Sequence, residues 1–321
     1  MPISPRQIQN PGGLAKVPSP GIERLLKAGV LTLALSAAIP TPVAAAPIQV
    51  PPIATPASAE HHPGKPIFAE LITPDLASAK QFYAGVFGWT FHDIAGGKSP
   101  YAEAYLDGDA VAGLVEKSVA AGEHRQPAWL NFFATTDVDA AAKIVVQDGG
   151  KVLVAPHDLA NRGREAVLAD AQGAVFALLA SSSGDPPDML AAPGDWIWRT
   201  LITTDPVADS GFYKSVLGYE VFPLPATPGE QHLLLATENF ARTSANSLPS
   251  GRPNVHPHWL AFVRVADATK AAAKVTALGG QVLVEPRVDR HGGMIAVVAD
   301  PLGAPFGLME WSDTQTNQVV K

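Results

Sequence analysis

Two stretches carry side chains able to do chemistry. Glu70 sets a carboxylate in the otherwise apolar run from Ile67 to Thr73, and a carboxylate beside an imidazole supplies a general base and a hydrogen-bond donor. His256-Pro257-His258, just ahead of Trp259-Leu260, has a His-x-His spacing that can grip a divalent cation, but no third ligand accompanies it. Glu70 and His258 are therefore the candidate catalytic groups, or the remains of a displaced metal site. The simpler readings stand beside these: Glu70 bonding a backbone or hydroxyl group, and His258 as a loop residue entering a strand. Arg162, Arg164, Arg290 and His291 lie in loops before short apolar strands, where they either catch an anionic solute or are merely hydrated.

Several chemistries are excluded. With no cysteine, the chain has no disulfide, thiol nucleophile, iron–sulfur cluster or Cys-bound zinc. Asp148-Gly149-Gly150 is a helix stop, not a nucleotide fingerprint, and no Ser-His-Asp arrangement has a recognisable local context. A formal net charge of −7 argues against a sequence-independent grip on nucleic acid, which needs a dense basic face.

The elements that must position these groups come from an internal repeat. Ile67, Leu71-Ile72-Thr73, Asp75, Phe82-Tyr83, Val86 and Gly88 recur as Ile197, Leu201-Ile202-Thr203, Asp205, Phe212-Tyr213, Val216 and Gly218, at a constant offset of 130. The same offset joins Trp129-Leu130 to Trp259-Leu260, Phe132 to Phe262, Asp137 to Asp267 and Gly149-Gly150 to Gly279-Gly280. It still holds for Asp170, Gly173 and Phe176 against Asp300, Gly303 and Phe306. Two homologous modules follow, 66–182 and 195–312, with 183–194 as linker and 313–321 as tail. Within each module, a strand, an Asp-capped helix ending at glycine and several further strands occur twice. The fold class is α+β with mostly antiparallel pairing.

Residues 1–65 read differently. Arg6, Lys16, Arg24 and Lys27 precede an apolar run from Ala28 to Ile39, which ends in Val43-Ala44-Ala45-Ala46. Such a basic, apolar, then small-residue order predicts a secretory signal peptide over 1–46 and a periplasmic or secreted protein. The run is too short to span a bilayer, so no stable membrane span is expected after processing. The Pro/Ala-rich stretch 47–65 reads as a flexible linker.

The run Leu71-Ile72-Thr73-Pro74-Asp75, with Phe82-Tyr83 and Phe87-Gly88-Trp89, resembles the first strand and helix of the vicinal oxygen chelate superfamily: glyoxalases, bleomycin-resistance proteins and extradiol dioxygenases. Asp170…Gly173-Ala174…Phe176 and Asp300-Pro301…Gly303-Ala304…Phe306 resemble its closing turn and last strand. The resemblance implies paired βαβββ units curling into an open sheet around a cavity, in a two-module, hydroxylase-like branch. It also implies where metal ligands would stand: Phe68 and Trp198 on the first strands, Leu130 and Leu260 on the middle strands, Ala177 and Gly307 on the last. None of the six offers a side-chain lone pair to a cation. The expectation is therefore neither metal nor other cofactor.

Because strand side chains alternate, Glu70 should share the cavity face with Phe68, and His258 with Leu260. Phe68, Trp129, Trp198, Trp259 and Phe132 form the candidate ligand-binding group, as an aromatic pocket or as a plug completing the core. The leading reading is a protein that binds a small apolar or aromatic molecule. The alternative is a divergent metal-dependent lyase, isomerase or dioxygenase using Glu70 and His258. Pairing of two modules within one chain favours a monomer.

Overall fold

A computed structural model describes residues 48–117, 127–248, 255–289 and 292–312. The expected signal segment 1–46, Arg290, His291 and the tail 313–321 lie outside the described residues. The first module runs β1 (Pro66–Thr73), α1 (Leu76–Phe87), β2 (Thr90–Ile94), β3 (Tyr101–Leu106), β4 (Asp109–Glu116), then β5 (Ala128–Ala134), α2 (Val138–Gln147), β6 (Lys151–Leu159), β7 (Gly163–Ala169) and β8 (Val175–Ser181). The second repeats this plan as β9 (Trp196–Thr203), α3 (Pro206–Leu217), β10 (Glu220–Pro223), β11 (His232–Thr237), β12 (Phe240–Ser247), β13 (His258–Arg264), α4 (Ala268–Ala277), β14 (Gln281–Val288), β15 (Met294–Ala299) and β16 (Pro305–Met309).

Each module is one eight-stranded sheet, ordered β2-β3-β4-β1-β5-β8-β7-β6 and β10-β11-β12-β9-β13-β16-β15-β14. The two βαβββ halves join along their first strands, antiparallel at β1–β5 and β9–β13. Within each half the first strand pairs in parallel with the last, as β1–β4 and β13–β16 do.

The repeated aspartates start the helices. Asp75, Asp137, Asp205 and Asp267 accept the amide hydrogens of Ser78, Ala140, Ala208 and Lys270, which would otherwise lack a partner in the first turn. Gly88 and Gly218 then end α1 and α3 at φ near +79° and +75°, the left-handed region where a Cβ is unfavourable.

The helices weld the modules together crosswise. α1 of the first module packs with α4 and β16 of the second, where the Phe82 and Tyr83 rings meet Phe306 at 6.3 and 5.7 Å. α2 and β8 of the first module pack with α3 of the second in the same way, Phe176 of β8 meeting Phe212 and Tyr213. Two buried chains of hydrogen bonds lock these contacts. Trp129 Nε1 donates to the Tyr83 hydroxyl, which donates to Asp300 Oδ2. Trp259 Nε1, Tyr213 and Asp170 Oδ2 repeat it. The other oxygen of each aspartate holds its closing turn, Asp170 through the amides of Gln172 and Ala174 and Asp300 through those of Leu302 and Ala304. The offset-130 repeat is thus conspicuous at Trp, Tyr and Asp because these residues bind one module to the other.

One expectation is corrected here. Residues 48–65 are not a flexible linker. Val50 is 1% exposed and Ile53 7% exposed, and the backbone is pinned by Ser58 N to Ser183 O at 2.8 Å, Asp185 N to Glu60 O at 2.8 Å and Gly64 N to Ala134 O at 2.9 Å. His62 N adds a bond to Asp185 Oδ2. The Pro/Ala composition conceals two apolar anchors, whose burial adds to these backbone bonds and offsets part of the entropy of ordering the segment, a cost its prolines already lower.

Candidate functional site

Both sheets curl around a concave face, and the two cups have become different. In the first, Phe68 pairs with Phe132, which pairs with Ala177; one row along, Glu70 stands between Gly113 and Leu130. Phe68, Leu130, Phe132, Ala177 and Leu179 form one apolar cluster, and Ile53 of the N-terminal segment sits in it. Val50 fills the neighbouring space against Tyr101 and Val115. The first cup is occupied by the chain itself.

Beneath that segment lies a charge cluster. Arg162 Nη2 donates to both oxygens of Glu103 at 2.8 and 2.9 Å, the Tyr101 hydroxyl donates to Glu103 Oε2, and the guanidinium lies 4.3 Å over the Phe68 ring. His157 Nε2 approaches Glu165 at 3.4 Å. Glu70 makes no hydrogen bond among the described residues. Burial, with the charges of Glu165 and Glu103 working in the same direction against Arg162, pushes its carboxyl up to about 7. Glu103 and Glu165 are also raised, chiefly by burial.

A group whose acid form is favoured by the fold stabilises it below its unfolded pKa, and that stability is lost as pH rises through the folded value. For Glu70 the window runs from about 4.5 to about 7, worth roughly 3 kcal/mol at 1.36 kcal/mol per unit. Glu70→Gln should therefore match the parent in urea unfolding at pH 5 and exceed it by up to about 3 kcal/mol at pH 8. Equal stabilities at pH 8 would show that Glu70 ionises freely in the fold.

The second cup is open. It holds a cavity of about 870 Å³ lined by Trp198, Thr200, Ile202, Ser244, Asn246, His258, Leu260, Phe262 and Met309, among others. The register sets these in rows across the sheet: Phe262 between Trp198 and Gly307, Thr200 between Ser244 and Leu260, Ile202 between Asn246 and His258. Ser244 Oγ accepts from Trp198 Nε1 at 3.1 Å and bonds Thr200 Oγ1 at 3.0 Å. Trp198 stacks on Trp311 at 12°. His258 Nδ1 lies 2.7 Å from His256 O. A carbonyl only accepts, so Nδ1 carries the proton, and burial lowers the pKa of the ring, favouring its neutral form.

The six positions where the fold family places metal ligands do come together, three in each cup, and they do not fit a metal. Phe68, Leu130 and Ala177 are packed apolar groups, and Trp198 and Leu260 lie in a second apolar cluster. Gly307 has no room for a ligand, since a Cβ there would fall on the Phe262 ring. No Lewis-acid step follows from such a donor set. Among the described residues, the trio His62, Asp188 and Glu238 does bring metal-capable atoms close. Its carboxylates are already neutralised, by Lys65 on Asp188 and by Arg242 on both Asp188 and Glu238.

Of the sequence candidates, Phe68, Phe132 and Glu70 face the first cup, and Trp198 and His258 the second. Glu70 and His258 are not brought together, because each belongs to a different sheet. Trp129 and Trp259 are a correction. They point to the helix side, into the Tyr83 and Tyr213 chains, because each precedes a cup-facing leucine and neighbours on a strand face opposite ways. Arg162 and Arg164 are likewise not loop cations awaiting an anion. Arg162 is buried on Glu103, and Arg164 is held by Asp139 and Asp158. Ser244 and Asn246 were not anticipated. Their alternation in Ser244-Ala245-Asn246 was available, but Ser244 matches Gly113, one residue away from the constant offset.

Comparison with known proteins follows this geometry. Residues 65–178 match the Glyoxalase/Bleomycin resistance protein/Dioxygenase superfamily, and residues 198–309 match a glyoxalase-like domain. "Putative glyoxylase CFP32" of Mycobacterium tuberculosis (strain CDC 1551 / Oshkosh) is 32% identical over 257 residues, covering 79% of this chain and 98% of that protein. "Anthracycline biosynthesis protein DauV" of Streptomyces sp. (strain C5) is 33% identical over 262 residues, covering 77% and 94%. Among solved structures, the Mn(II)-bound glyoxalase from Novosphingobium aromaticivorans shares the fold at a TM-score of 0.55 and 17% identity, over 80% of this chain and 87% of that one. Two family-matching modules, a repeated βαβββ plan and full-length relatives agree: the chain belongs to the glyoxalase/bleomycin resistance protein/dioxygenase superfamily.

Proposed function

We propose that the protein binds one small apolar or aromatic molecule in the cup of its second module, as an exported monomer. The observation that carries this reading is the contrast between the cups. The first is filled by Val50 and Ile53. The second keeps a cavity of about 870 Å³, within the usual range of small-molecule sites. Its walls are aromatic and aliphatic where catalytic relatives of the fold need metal donors. Trp198 supplies a broad, rigid face held in place by Ser244 and Trp311, and such a face favours a flat partner. That a relative is named for anthracycline biosynthesis is consistent with a ring-shaped ligand.

Equilibrium dialysis with naphthalene tests the site. One molecule should bind per chain, and Trp198→Ala should weaken binding roughly tenfold or more, as loss of a central aromatic contact does. Absence of saturable binding, or a Trp198→Ala variant that binds as the parent does, would remove this reading.

A further inference from the structure

The first cup is closed over more acid than base. Glu70 faces Glu103 and Tyr101 of β3, Arg162 of the loop before β7, Glu165 of β7 and Lys117 just past β4. His157 of β6 lies against Glu165, and β4 and β5 set Gly113 and Leu130 opposite Glu70. The Arg162 hydrogen bonds go to Glu103. The cover over this group brings nothing to meet a charge, because residues 48–59 include no ionisable side chain. Ile53 packs with Leu130, across the strands from Glu70, and Val50 packs with Tyr101 on the other side. The two anchors therefore flank the carboxyl.

The segment is also fastened unequally. Residues 60–65 are held by Asp185 N on Glu60 O, His62 N on Asp185 Oδ2 at 2.7 Å, Lys65 Nζ on Asp188 Oδ1 at 2.8 Å and the Tyr219 hydroxyl on Gly64 O. Residues 55–59 are exposed. Upstream of them, the hydrogen bonds among the described residues are Ala54 N on Ser183 Oγ at 3.1 Å and Asn161 Nδ2 on Gln49 Oε1 at 3.2 Å. We infer that residues 48–54 are a hinged strap governed by the protonation of Glu70, docked over its acid form, lifted from its ionised form and turning about 55–59.

So few bonds let the docked end open while the rest of the fold stays intact. An ionised Glu70 beneath apolar side chains has neither water nor a hydrogen-bond partner, and lifting the strap admits water. With the strap down, burial first and then the neighbouring carboxylates hold the Glu70 carboxyl up at about 7, and with it lifted the value falls toward the ordinary 4.5. The proton stabilises the docked state fully below about 4.5, and that advantage is lost as pH rises to about 7. Across this window the lifted fraction should grow by up to about tenfold per pH unit, and level off above it.

The chain has no cysteine, so Val50→Cys is a single reporter for the strap. Val275→Cys, wholly buried in α4, reports global unfolding. Each is labelled in the full chain with 4,4′-dithiodipyridine between pH 5 and pH 8, and its rate is divided by that of the same variant unfolded in urea at the same pH. The normalised Val50→Cys rate should exceed that of Val275→Cys, rise about tenfold or more from pH 5 to pH 7 and flatten by pH 8. Adding Glu70→Gln should remove the rise. Hydrogen exchange over residues 48–59 in the parent and in Glu70→Gln, neither carrying a reporter, should show the same contrast. The strap is overturned as a proton-governed device if the normalised rate does not depend on pH, or if the dependence survives Glu70→Gln. It is overturned as a hinge if Val50→Cys labels no faster than Val275→Cys. None of these readouts depends on what the second cup binds.

Discussion

Arg162→Met is expected to destabilise the protein by roughly 3–5 kcal/mol, the range for stripping one partner from a buried ion pair. Arg162 is 2% exposed and Glu103 is not exposed at all. The guanidinium is the cation shared by Glu70, Glu103 and Glu165 in the first cup, with Lys117 acting also on Glu70 and His157 on Glu165. Burial works against its charge, yet Glu103, Tyr101 and Glu70 together hold its pKa above the usual value. Without it, Glu103 must ionise unpaired in an apolar setting or take up a proton, so the loss should be greater at pH 8 than at pH 5. The cost comes from an orphaned carboxylate and not from a missing attraction. The double variant Arg162→Met with Glu103→Leu should therefore recover most of the stability. Urea unfolding of the two single variants and the double variant reads this directly. A loss below about 1 kcal/mol for Arg162→Met would mean that water reaches the pair.

The sequence made the architecture legible for a physical reason. Helix caps, glycine stops and the Trp–Tyr–Asp chains occupy fixed places in each module, so duplication left them as a constant offset. Strand alternation likewise placed Phe68, Glu70, Trp198 and His258 on the concave faces. The same rule, applied to Trp129 and Trp259, assigns them to the opposite face, and their aromatic character alone suggested a pocket. The charge cluster was not legible, because Glu103 and Arg162 meet only after β3 and the loop before β7 curl over one cup. Nor was the difference between the cups. Where the first has Glu70 opposite Gly113, the second has Thr200 opposite Ser244, and one cup receives a segment from outside either module.

That segment is the larger consequence of the fold. Val50→Asp and Ile53→Asp should each destabilise the protein by several kcal/mol, since each drives a carboxylate into an apolar cluster whose neighbouring donors, Arg162 and the Tyr101 hydroxyl, are already engaged by Glu103. Val50 packs with Tyr101 and Val115, and Ile53 with Phe68, Leu130, Phe132, Ala177 and Leu179. At roughly 2–4 °C per kcal/mol for a chain of this size, a melting temperature lowered by about 10 °C is expected for either change. Binding of naphthalene in the second cup should persist, because neither side chain lines that cavity. Had the segment been a tether without a core, both substitutions would be silent, and an unchanged melting temperature would restore that view. A loss of naphthalene binding without loss of stability would instead place the occupied cup, and not the open one, on the path to the ligand.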